Sequence, residues 1–156
     1  MNPLLTTFLH QAIFGGVAAA GFGVLFNCPP RMLGLCFGSG ALALFVRTAA
    51  QAGDWSLPAA SFLAALSLGI ADRTWLRTQS PRGSILAVVG CIPMVPGSLA
   101  AKALMGFFAL AHGLPDNSVT LLVLTMENTI VVILTMVAIG IGLSVPTLVY
   151  PDRREQ

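Results

Sequence analysis

Cys91-Ile92-Pro93-Met94-Val95-Pro96-Gly97-Ser98 sets two prolines and a glycine in the middle of an apolar stretch that runs over residues 84–111. A proline inside a helix removes one backbone donor and clashes with the carbonyl one turn back. Lipid supplies no replacement partner, so irregular backbone at membrane depth persists only where protein buries it or where it lines a wet cavity. The pattern predicts a spanning helix broken at Pro-x-x-Pro-Gly, its freed amides and carbonyls turned toward a ligand in the manner of secondary transporters. The competing reading is a proline kink packed against neighbouring helices.

Outward from this element the chain is apolar almost throughout. Of its 156 residues 56% are hydrophobic and 9% charged, with a mean hydropathy of +0.85. A soluble domain carries about a quarter charged residues. Apolar stretches cover residues 4–26, 32–51, 57–76, 84–111 and 118–150, each near or above the roughly 20 residues a spanning helix needs. They are continuous rather than alternating, which excludes an outer-membrane barrel. The expected fold is an all-α integral membrane protein: five transmembrane helices, the fourth discontinuous, forming a single transmembrane domain over residues 1–156. The third span is the weakest, because Asp72 and Arg73 shorten its apolar core.

Arg31, Arg73, Arg77, Arg82, Arg153 and Arg154 all fall between or after spans on one side, and the loops of the other side carry no Lys or Arg. The positive-inside rule then places the C-terminus in the cytoplasm and the N-terminus outside, in an inner (plasma) membrane. The net charge of +2 follows from this bias and does not indicate nucleic-acid binding. The first stretch lacks a basic segment before it and is long for a cleaved signal, so it reads as a retained span. Cys28, Cys36 and Cys91 have no metal-ligand spacing and read as small apolar residues.

Two cations and one carboxylate remain well inside spans: Arg47, Lys102 and Glu127. Intramembrane charges are costly unless paired or hydrated, and so mark candidate sites. Arg47 is too deep to snorkel freely and has the planar fork that grips a carboxylate, which predicts substrate binding together with Pro93, Pro96, Gly97 and Ser98. A structural, hydrogen-bonding arginine is the alternative. Lys102 and Glu127 each lie ten residues from the 112–117 loop, at one depth about 15 Å below the outer surface. That predicts a Lys102–Glu127 ion pair beside Asn128, either fixing helix packing or coupling protons to transport.

Small residues recur at four-residue spacing (Gly15, Ala19 and Gly23; Gly34 and Gly38; Gly97 and Ala101), a pattern that lets helices approach closely within or between chains. Asn27 before Pro29 and Pro30 reads as a helix stop, and His10 and His112 as interfacial residues. No metalloprotease, serine-hydrolase or nucleotide-binding signature is present. Phe37-Gly38-Ser39-Gly40 only superficially suggests an intramembrane protease serine. No enzyme activity, catalytic residue, metal or cofactor is expected.

Four stretches carry a family resemblance: Gly21-Phe22-Gly23-Val24-Leu25-Phe26-Asn27-x-Pro29-x-Arg31, Gly40-Ala41 leading to Arg47, Ile92-Pro93-Met94-Val95-Pro96-Gly97, and Gly140-Ile141-Gly142-Leu143-Ser144-x-Pro146. Through them the chain resembles the threonine/serine exporter (ThrE) superfamily, in its split small-subunit branch of YjjB-like proteins. The resemblance implies a small subunit that works with a larger YjjP-like partner to export small carboxylate metabolites, a succinate-like dicarboxylate in one branch and threonine or serine in another. Arg31, Arg47, Pro93, Pro96 and Gly97 fall on the family pattern; Lys102 and Glu127 do not. Inverted-repeat transporters supply two broken helices and this chain has one, so the partner, or a second copy in a homo-oligomer, is expected to complete the site. The rival expectation is a non-transporting structural or assembly subunit whose break merely docks the partner. An ion channel is disfavoured, since no ring of pore charges is visible.

Overall fold

Proline and left-handed residues punctuate the chain into helices. In the computed structural model, which describes residues 3–73, 83–113 and 118–149, α1 (Pro3–Leu25) ends where Asn27 takes φ 53°, with the Cys28 amide donating back to the Gly23 carbonyl at 2.9 Å. This is the left-handed cap that asparagine tolerates better than a branched residue. A 3-10 turn, Pro30–Met32, leads into α2 (Leu33–Ala52), and Asp54 at φ 61° closes that helix in the same way. Pro58 then opens α3 (Leu57–Ala71), fixing φ where its missing N–H costs no bond. After α4 (Gly83–Cys91) and a second 3-10 turn, Ile92–Met94, come α5 (Gly97–Ala111) and the 32-residue α6 (Ser118–Val149). Among the described residues there is no strand.

Small side chains set how closely the helices approach. A Cβ on Gly15 of α1 would meet Leu44 of α2 at 2.6 Å, and one on Gly40 would collide with Ala19 and the Gly15 carbonyl. Gly90 brings α4 against Ser39 of α2, whose hydroxyl donates to the Cys36 carbonyl at 2.8 Å. The last motif of the sequence is a packing motif: Gly142 lies against Phe62 and Ala65 of α3, and Pro146 against Gly69. In lipid, where no hydrophobic gain separates one apolar neighbour from another, such close van der Waals contact is what holds helices together. Two apolar clusters result, one around Ala64, Ala65, Leu68, Met94 and Ile139, the other around Ala19, Cys36, Leu86 and Val89. Gly34, Gly38 and Gly97, by contrast, have no atom within 4 Å of a Cβ position, so these members of the small-residue pattern are not used inside the chain.

Among the described residues, three helical segments are long and apolar enough to cross a membrane: Thr6–Leu25, Pro30–Ala52 and Val119–Val149. Ile85–Met94 and Gly97–Ala111 count as a fourth if taken together, although their axes are bent by 53°. The weak third stretch is a helix of 15 residues, about 22 Å against a hydrocarbon core of about 30 Å. Among the described residues α6 packs chiefly on two helices. Its second half lies on α3 and its first half on α5, where Gly106 packs on Thr125. Of the arginines that set the expected orientation, Arg31 and Arg73 sit at the same end of the bundle, Arg73 donating to the Thr147 carbonyl at 3.5 Å. Arg77, Arg82, Arg153 and Arg154 lie outside the described residues.

Candidate functional site

The α-helical hydrogen-bond ladder stops at Cys91. Val95 has the extended values φ −59° and ψ 124°, and Pro96 has ψ 64°, so the chain turns before α5 restarts at Gly97. In an unbroken helix the Met94 carbonyl would accept from the Ser98 amide four residues on. The turn takes it elsewhere, and Arg47 Nη1 donates to it at 2.7 Å. Arg47 comes from the last two turns of α2, so one charge-assisted hydrogen bond ties that helix to the break.

Beside this bond lies a cavity of about 440 Å³, within the range of small-molecule sites. Its walls bring together all five residues expected to bind substrate, Arg47 from α2 and Pro93, Pro96, Gly97 and Ser98 from the break. Gly97, which has open space at its Cβ position, is part of this wall. Gln11 of α1 and Thr48 and Gln51 of α2 add polar groups. The Thr48 hydroxyl donates to the Leu44 carbonyl at 2.6 Å, which leaves its oxygen free to accept. Among the described residues no Asp or Glu lines the cavity. A helix N-terminus carries unsatisfied amides and a partial positive charge, and the first turn of α5 lies in the wall. The arrangement suits a small anion with further hydrogen-bonding groups.

Gln51 was within reach of the sequence, one helical turn beyond Arg47 and so on its face. Gln11 was not, because only the packing of α1 on α2 brings it there. Lys102 and Glu127 do not form the expected pair: both are exposed, and among the described residues no ion pair joins them. The equal depth inferred from the hairpin says nothing about which way each residue points. Glu127 is two residues from Thr125, about 200° around the helix, while Thr125 faces α5. Glu127 therefore projects away from the helix that carries Lys102. Asn128 is half-buried on α6.

The sequence profile described as Threonine/Serine exporter, ThrE, matches residues 11–149. No solved structure matches the chain. The matched range begins at Gln11 in the cavity wall, takes in Arg47 and the whole break, and ends with the last residue of α6, and over that length the chain belongs to the threonine/serine exporter (ThrE) family.

Proposed function

We propose that the chain is the small subunit of a two-component secondary exporter for small carboxylate metabolites, threonine or serine or a succinate-like dicarboxylate, acting with a larger YjjP-like subunit. In this reading the chain crosses the inner membrane five times, with its N-terminus outside and its C-terminus in the cytoplasm. The bent pair α4 and α5 is one discontinuous span, and α3 crosses by local thinning of the bilayer or by tilting of its neighbours. The observation that carries the reading is the cavity at the break. Arg47 offers a fork for a carboxylate, while Gln11, Thr48, Gln51 and Ser98 offer partners for an amino or hydroxyl group. Without any nucleotide-hydrolysing part, export runs on an ion gradient or on the substrate's own gradient.

One observation favours a second reading. Arg47 already has an acceptor inside the chain, the Met94 carbonyl, as a purely structural clamp would. In that case the chain is a non-transporting assembly subunit. Export of radiolabelled threonine, serine and succinate from cells carrying this chain, its partner, or both separates the two when repeated with Arg47→Ala. A binding role gives lost export with a normally assembled complex on native gels. Loss of the complex itself supports the assembly role.

A further inference from the structure

Lys102 and Glu127 are left by the fold on the outer surface of the α5–α6 hairpin, among residues suited to lipid. One turn on from Lys102 and on its side of the helix, Met105 is 70% exposed. Around Glu127 the exposed residues Val123, Glu127, Ile130, Leu134, Val137 and Ile141 follow one another at alternating steps of four and three, the spacing of a helix–helix seam. A single charge in such a seam is costly against lipid, and it fixes register where another helix covers it.

The level of the two charges says what that helix belongs to. Gly106 packs on Thr125 across the hairpin. Lys102 lies four residues below Gly106 and Glu127 two below Thr125, so at 1.5 Å per residue they stand within about 3 Å of one level. A symmetry axis along the membrane normal keeps every residue at its own depth, so a second copy brings its Lys102 to the level of the first copy's Glu127, and its Glu127 to the level of the first copy's Lys102. The face thus carries one cation and one anion that cannot satisfy each other within a chain but can between two. A foreign partner would have to supply both opposite charges at that same level; a second copy supplies them by symmetry.

We infer that the exposed face of the α5–α6 hairpin is an interface with a second copy of this chain, closed by reciprocal Lys102–Glu127 ion pairs. The inference rests on the membrane reading of the chain and not on the identity of the substrate.

The test is cysteine cross-linking in membranes, in a background with Cys28, Cys36 and Cys91 replaced by Ser. Lys102→Cys and Glu127→Cys are placed on separate, differently tagged copies and expressed together with the larger subunit. The expected result is an oxidant-induced band of twice the chain's mass that carries both tags and is lost when either variant is expressed alone. No such band, although both thiols react with a membrane-permeant maleimide, overturns the inference. So does a cross-link from Glu127→Cys to the larger subunit only. In cysteine-free chains, Lys102→Glu should lose the dimer seen on native gels, and Lys102→Glu with Glu127→Lys should restore it. If the single reversal keeps the dimer, the ion pairs do not close it; if the reversed chains fail to accumulate, the cross-link decides alone.

Discussion

At the scale of the residue, Arg47 and Gly97 make demands that their neighbours do not. Arg47→Lys retains a positive charge but loses the second, fixed donor, so a residue that both holds the Met94 carbonyl and meets a carboxylate can no longer do both. The expected outcome is a raised half-saturating substrate concentration in export assays with the complex intact; unchanged export would remove Arg47 from the substrate path. Gly97 is the cleaner probe. Because no atom lies within 4 Å of a Cβ built there, Gly97→Ala should insert and export much as the parent chain does. Gly97→Leu should insert equally well and lose export, since its side chain fills the cavity rather than the core. Poor insertion of Gly97→Leu, read by membrane fractionation, would show that the position is packed.

At the scale of the element, proline decides where the helix stops and glycine how closely helices pass. Pro93 and Pro96 leave the stretch short of donors, and the chain answers with a 3-10 turn, an extended residue and a 53° change of direction. That feature could be read directly from the residues, because it is local. Its consequence, a carbonyl turned toward Arg47, 47 residues earlier, could be anticipated only as a convergence of rare polar groups. The Lys102–Glu127 pairing failed for the opposite reason: helical rise gives depth, but only the wheel position relative to packed residues gives direction. The contact of α3 with α6 shows the same rule from the side of shape. Gly142 abuts the Phe62 carbonyl and Ala65 so closely that Gly142→Val has no room. The overpacking should cost about 1–3 kcal/mol, seen as a lower thermal midpoint of the detergent-solubilised chain, whereas Gly140→Val, where a Cβ meets nothing, should leave it unchanged.

At the scale of the whole molecule, the uneven burial of α6 argues for how the chain sits in its surroundings. Only 17% of its apolar window is buried within the chain, a value natural in lipid or under other subunits and costly in water. Total length and hydropathy announced the membrane, and Asp72 and Arg73 already marked the third span as the short one; its α-helix stops just before them, at Ala71. The orientation we propose rests on the ends of the bundle. The turn between α2 and α3 has no basic residue, and the opposite end of the bundle holds Arg31 and Arg73. With cysteine introduced singly into a Cys-free chain, Ser56 should react with an impermeant maleimide on intact cells, and Ser80 only after permeabilisation. Reaction of both from outside would put α3 in the outer leaflet as a re-entrant helix, and the reverse pattern would turn the molecule over. The reverse pattern would also move the mouth of the Arg47 cavity to the other face of the membrane, because Ser56 borders Leu57, which lines that cavity.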